Sequence, residues 1–189
     1  MLPAPILPYI RMADFAVRSP WRTDARRLLD YLLVYVQEGR FVVRLAGVEH
    51  VIPPGKFCLI QPDDLHTLQG LTSTITPYVH FDVFYNPRRD ESFVTRPTHI
   101  DLSSLRHLIQ PRLKDIPGVD VPLEFSPRDT DRFRSNMLKM IGVWKQRDPL
   151  SQIHAQYLAM GLVLALLTEG ELAVGELAQD RIARGMAKA

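Results

Sequence analysis

The first 125 residues change direction every few positions, and this punctuation limits what the chain can fold into. "LLDYLLVYVQ", rich in Leu, Val and Tyr, meets a turn at Glu38-Gly39, and "RFVVRL" then turns at Ala46-Gly47. "VEHVI" leads to Pro53-Pro54-Gly55, "KFCLI" to Gln61-Pro62-Asp63-Asp64, and "HTLQ" and "TPYVHFDVFY" complete the set. Short β-rich runs bounded by Gly and Pro predict an antiparallel sandwich or barrel. A parallel sheet needs helical crossovers, and no gap between these runs holds one.

Past residue 100 the period changes. "DLSSLRHLI" predicts a short helix and "VPLEF" a last strand. Ser126-Pro127 predicts a helix start, with Ser126 as N-cap, Pro127 at the first helical position and Asp129 following. Phe133, Met137, Met140, Ile141 and Trp144 then share one helical face. Asp148-Pro149 ends that helix, and a second runs from near Leu150 to about Thr168, closed by Glu169-Gly170. The fold class expected is mainly β with C-terminal α, strands first and a helical hairpin after them. Residues 1–20 read as an N-terminal arm, 21–125 as the β-domain and 126–168 as the paired helices. Residues 169–189 read as a glycine-bearing linker and a new helix start, "RIARGMAKA".

Composition narrows the function. With 189 residues, 46% apolar and 23% charged, there is material for one domain and a helical appendage. A formal charge of +2 is too near neutral to argue for nucleic acid, and Arg26-Arg27 and Arg88-Arg89 read as solvated pairs. The single cysteine, Cys58, excludes an intrachain disulfide and reads as a small buried hydrophobe. Three prolines in the first eight residues break any signal-peptide pattern, and "YLAMGLVLALL" is shorter than a membrane span. A soluble cytoplasmic protein is expected. No phosphate loop, CxxC or HExxH occurs, and Ser103-Ser104 with His99 and His107 lacks an orienting carboxylate for a triad.

In order and spacing, "DYLLVYVQEGRFVVRLAG", "IPPGKFCLIQPDDLHTL", "YVHFDVFYNP" and the paired helices resemble the sensor half of AraC-type transcription regulators. The resemblance spans roughly residues 20 to 168. It implies a cupin-type jelly-roll barrel that binds a small-molecule effector, a sugar or small metabolite, followed by helices that dimerise. It also implies a DNA-binding half of two helix-turn-helix units, whose opening helix "RIARGMAKA" resembles, so that the chain reads as truncated. In similar proteins the N-terminal arm can fold over the barrel mouth as a lid. Because of its prolines, the arm here is expected to be neither a strand throughout nor a helix.

Metal-holding cupins use a His-x-His pair and a Glu before the first turn glycine, and a His after the second turn. Here only the last position is filled, by His66; Leu32 stands where the Glu would be, and no histidine lies between Trp21 and Gly39. An open catalytic site needs about three protein ligands, so no metal or other cofactor is expected, and no catalytic residue. The alternatives are a metal-independent cupin enzyme of the sugar isomerase or epimerase type, with His80 and Asp82 as acid and base, or a ligand-free structural dimer module.

Five residues are candidates for the effector. His66, at the barrel mouth, either donates to a ligand or holds its own loop. His80 and Asp82, at i and i+2, share one strand face, with Val79, Phe81 and Val83 on the other. They reach a ligand only if both faces are buried, one inside the barrel and one under the helices. Tyr31 and Tyr35 also share a face, where they either stack on a ligand or pack in the core. For a homodimer, Ile153, Tyr157, Met160, Leu164 and Leu167 are spaced four, three, four, three, the seam pattern of paired helices. A second row, Leu158, Leu162 and Leu166, lies beside it, and Gly161 sits between them.

Overall fold

The computed structural model describes residues 2–186, with side chains through residue 168. Among the described residues nine strands precede two α-helices: β1 Ile6–Arg18, β2 Trp21–Arg22, β3 Tyr31–Tyr35, β4 Phe41–Leu45, β5 Val48–Ile52, β6 Phe57–Ile60, β7 His66–Gly70, β8 Thr74–Phe84, β9 Glu124–Phe125, α1 Thr130–Trp144 and α2 Pro149–Met186. They form two antiparallel sheets, ordered β1-β8-β3-β6-β9 and β2-β7-β4-β5. Sequence neighbours often pair across the molecule rather than with each other, and the result is the expected jelly-roll barrel of the cupin type.

The turns match the local sequence. Ala46 and Gly47, both at positive φ, make a two-residue hairpin turn between β4 and β5. Gly39, at φ +89°, lies so close to the backbone of Ser73 that a Cβ there would collide with its carbonyl. "DLSSLRHLI" supplies a 3-10 turn over Ser103–Leu108 in place of an α-helix, and "VPLEF" a two-residue strand.

Two apolar layers flank the first sheet. Between the sheets, Leu32, Val34, Phe41, Val43, Ile52, Cys58, Ile60 and Leu68 fill part of the barrel. Burial pushes the Cys58 thiol far above its ordinary range, so it stays a protonated hydrophobe. On the other side, Tyr31, Leu33, Tyr35, Val79, Phe81 and Val83 meet Phe133, Met137, Met140, Ile141 and Trp144 of α1 and Leu158, Leu162 and Leu166 of α2. Phe57 anchors this second core, with ring centroids 4.8 Å from Tyr35 and 4.9 Å from Phe133, the latter edge-on.

Two expectations, the start of α1 and the end of α2, are corrected, and two others gain detail. The arm is a strand over Ile6–Arg18; Pro8 is accommodated because β1 is an edge strand whose register shifts between Ile6 and Tyr9. The N-cap of α1 is Asp129, whose carboxylate accepts from the backbone N–H of Arg132, so helix formation starts three residues later than Ser126 would place it. The second helix does not stop at Glu169-Gly170: α2 is continuous to Met186, through the expected linker, because separated glycines such as Gly170 and Gly175 cost a helix only about 1 kcal/mol each. Finally, Pro149–Thr168 is long and apolar enough, by length and composition, to cross a membrane, although one of its faces is packed on the barrel and α1.

Candidate functional site

Strand β8 pairs with β1 on one edge and β3 on the other, and is buried on both faces. The helix layer that His80 and Asp82 required is present, so Thr74, Thr76, Tyr78, His80 and Asp82 turn into the barrel and Val79, Phe81 and Val83 toward the helices. Beside them Leu32 and Val34 of β3 point inward, across from them Phe41 of β4 and Leu68 of β7 do so, and a cavity of about 450 Å³ remains between the walls. Trp21, Thr23 and Arg26 line its second wall, Met12 and Arg18 reach it from β1, and residues 94–97 cover it. That covering segment is stapled down: Arg26 Nη1 donates to the Thr95 carbonyl at 2.6 Å, and Thr95 Oγ1 donates to the Arg27 carbonyl at 2.7 Å.

His80 lines this cavity. Its Nδ1 faces Asp30 Oδ1 at 3.2 Å, a contact that places the proton on Nδ1 and fixes the plane of the ring. Asp30 is fully buried, and its second oxygen has no partner among the described residues. Tyr78 stands edge-on to His80, with ring centroids 6.0 Å apart.

His66 occupies the inward face of β7, two residues before Leu68, and is 1% exposed. Its Nδ1 donates to the Asp64 carbonyl at 2.9 Å, which leaves Nε2 buried without a partner. Burial, reinforced by the charge of Arg26, pushes its pKa down to about 4, so the ring is neutral at physiological pH. It holds its own loop and is not among the residues lining the cavity.

Asp82 turns inward but is fully engaged. Arg11 Nε donates to one carboxylate oxygen at 2.9 Å and Nη2 to the other at 2.5 Å, while Nη1 reaches the carbonyls of Arg89 and Ser92. Burial raises the Asp82 pKa and Arg11 opposes it. The pair clamps β1 and the 89–92 loop onto β8, and it does not line the cavity. Tyr31 and Tyr35 lie on the opposite face of β3, in the core under the helices, with the Tyr31 hydroxyl donating to the Pro111 carbonyl. As ligand contacts they are corrected: the inward positions of β3 are Leu32 and Val34.

Several cavity residues are absent from the sequence-based candidates. Arg26, expected from sequence to be solvated, is only 9% exposed, and its Nε has no partner among the described residues. Burial lowers its pKa from the ordinary guanidinium value. Thr76 Oγ1 is also buried and unpartnered, whereas the Thr74 hydroxyl, two residues away, accepts from Trp21 Nε1 at 2.9 Å. Arg18 stacks 4.5 Å over Trp21 at the rim. Among the described residues no three His, Cys, Asp or Glu side chains converge as a metal site.

The dimer candidates divide. Ile153, Tyr157 and Leu164 are strongly exposed and Met160 is partly so, while Leu167 is half-buried against the core. The second row, Leu158, Leu162 and Leu166, is buried within the chain. Gly161 is exposed, and a Cβ placed there would touch nothing.

No curated protein matches this chain. Among solved structures it is similar to a point mutant of apo ToxT from Vibrio cholerae, at 11% identity and a TM-score of 0.40, over 84% of this chain and 55% of that one. It is also similar to a mutant salicylate 1,2-dioxygenase from Pseudoaminobacter salicylatoxidans, at 15% identity and a TM-score of 0.38, over 65% and 39%. A third similar structure is KdgF from Halomonas sp., at 15% identity and a TM-score of 0.33, over 43% and 81%. The chain thus spans about half the length of ToxT and less of the dioxygenase. Similarities this distant carry nothing about function. The family match is more specific: residues 16–100, from the end of β1 past β8 and the covering segment, match the family described as the AraC-like ligand binding domain. Across those residues, then, this chain carries an AraC-like ligand-binding domain.

Proposed function

We propose that the domain is the cytoplasmic sensing and dimerisation module of an AraC-type transcription regulator, in which a small-molecule effector occupies the barrel. The observation that carries this reading is the cavity of about 450 Å³ between the sheets, apolar for most of its lining but with Arg26, Thr76 and His80 set into the walls. Small-molecule sites have this size and make-up. The module binds its ligand without converting it. His80 has an orienting carboxylate in Asp30, but the cavity lining contains no carboxylate of its own, and Asp82 is committed to Arg11. No Asp or Glu of the described cavity lining faces His80 as an acid–base partner, which supports binding over conversion.

Ligand contacts on β1 and residues 94–97 offer a route for coupling, because β1 also packs on α2, where Gln156 donates to the Pro8 carbonyl. The exposed Ile153, Tyr157, Met160 and Leu164 row pairs two copies through α2, with Gly161 admitting a close neighbour. DNA contact belongs to a separate helix-turn-helix half, which senses the effector through that pairing.

Two experiments test the proposal. A thermal-shift screen of sugars, aromatic acids and amino-acid metabolites should yield a stabilising compound, worth about 2.7 kcal/mol at a hundredfold excess over Kd. Leu68→Trp, which fills the cavity, should abolish that response while the fold is kept; an unchanged response would place the ligand elsewhere. Tyr157→Glu with Leu164→Glu alters exposed positions only and should give a folded monomer by sedimentation. A dimer that survives both changes would put the interface on another surface.

A further inference from the structure

The lining of the cavity carries arginines and no carboxylate. Arg18, Arg26 and Arg96 line it, and its lining includes no Asp, Glu, Asn or Gln. Elsewhere several guanidiniums are ion-paired: Arg11 with Asp82, Arg27 with Asp63, Arg44 with Glu49, Arg88 with Glu91, Arg112 with Asp64 and Arg134 with Asp131. None of the three cavity arginines has a carboxylate within 4.0 Å among the described residues. For Arg18 and the exposed Arg96, at the rim, water supplies the solvation. For Arg26 it does not: the side chain is buried, one nitrogen is satisfied by the Thr95 carbonyl, and Nε has nothing. The buried Asp30 acts on Arg26 through space but forms no ion pair with it, so the unsatisfied Nε keeps a desolvation cost that the oxygen of a bound anion recovers. Thr76 adds a second unsatisfied buried group to the same cavity, an O–H free to donate.

Resting on the sensor reading above, we propose that the effector is an organic anion, a carboxylate with an apolar body, held by Arg26 and the Thr76 hydroxyl. The apolar body lies against Leu32, Val34, Phe41 and Leu68, with the Trp21 ring at the side. Arg18 and Arg96 draw the anion toward the mouth. A sugar fits this lining poorly. Each sugar hydroxyl both donates and accepts, and sites that hold it supply carboxylate or carboxamide oxygens as acceptors; here donors dominate and no such oxygen lines the walls. His80, with Nδ1 turned to Asp30, is a further polar side chain of the lining and contributes to selectivity.

The test compares acids with their uncharged partners on the whole chain. Benzoate, phenylacetate and octanoate are titrated by calorimetry beside benzamide, phenylacetamide and octanamide, with arabinose and glucose as neutral polyols. At least one carboxylate should bind, and its amide should bind at least about tenfold more weakly, the loss of one charge-assisted contact. Arg26→Gln should weaken the acid by at least about tenfold, and Thr76→Val by about threefold with the free protein's fold intact. Should Arg26→Gln fail to fold, Arg26→Lys, which keeps the charge but loses the planar fork, serves instead and should still weaken the acid. An amide or a sugar that binds as tightly as the acid, or an acid indifferent to Arg26 and Thr76, overturns the anion while leaving a ligand-sensing barrel in place. Binding by no compound of any class, in the titrations and in the broader screen, overturns the anion and the sensor together.

Discussion

On one face of β8, Val79, Phe81 and Val83 meet the helices; on the other, Thr74, Thr76, Tyr78, His80 and Asp82 meet the barrel interior. Both faces are largely buried, yet they are built to different standards. The helix-side layer is close-packed and apolar, and its polar groups are few and engaged, as with the Tyr31 hydroxyl on Pro111. The barrel side keeps a cavity and leaves Arg26 Nε, Asp30 Oδ2, His66 Nε2 and Thr76 Oγ1 without partners among the described residues. A sheet that needed only to fold would not carry that many unsatisfied groups on one side, since each costs about 1–3 kcal/mol. The helix face supplies the stability that lets the barrel face remain receptive.

The comparison is tested most severely by cutting into the helix face. Phe57→Ala removes a ring that contacts Tyr35, Phe125 and Phe133, and should destabilise the domain by about 3–5 kcal/mol in urea unfolding. A cost below about 1 kcal/mol would mean that this layer does not hold the fold. Asp82→Ala should cost about 3 kcal/mol, because it leaves the nearly buried Arg11 without its counter-charge. Arg11→Met with Asp82→Leu should cost clearly less than Asp82→Ala alone. If Asp82→Ala instead spares stability and only weakens ligand binding, the clamp assigned to this pair is mistaken.

Acid probes the barrel face next. His66 titrates near 4 in the folded state against an ordinary 6.5, so between those values the unfolded chain binds a proton that the folded chain refuses. Stability is therefore complete above about pH 6.5 and lost as the pH falls. Between pH 7.5 and 5 this one group should remove about 2 kcal/mol, and His66→Asn should flatten that part of the pH profile. An unchanged slope in the variant would show that His66 protonates in place.

How much of this was legible in the sequence follows the same division. The alternation in "YVHFDVFY" correctly separates Val79, Phe81 and Val83 from His80 and Asp82, because the two classes of side chain differ in polarity. In "YLLVY" every residue is buried and none is charged, so the pattern cannot say that Leu32 and Val34, rather than Tyr31 and Tyr35, face the barrel. That choice is fixed by register with β8, where Leu32 lies opposite His80. Arg26 and Arg27 look alike as neighbours, but adjacent residues in extended chain point opposite ways, and only Arg26 is drawn in, beside His66. Pro8 hid β1 because proline argues against a central strand, and sequence does not reveal that this strand lies at the edge.

The smallest effect asks whether the barrel face is unsatisfied residue by residue. Thr74 and Thr76 share a strand and a face, and both are 1% exposed. Thr74 accepts from Trp21 Nε1, and replacing it with Val leaves the indole N–H without its acceptor; Thr74→Val should cost about 1 kcal/mol. Thr76 has no partner to lose, and Val has nearly its shape without the hydroxyl that was desolvated for nothing. Thr76→Val should therefore be neutral or raise stability by up to about 1 kcal/mol in the ligand-free protein. Opposite signs at two positions so closely matched cannot come from β-propensity or side-chain volume, which the two substitutions share. Equal losses at both would mean that the Thr76 hydroxyl is held by ordered water, and the barrel face would then be satisfied in the absence of ligand.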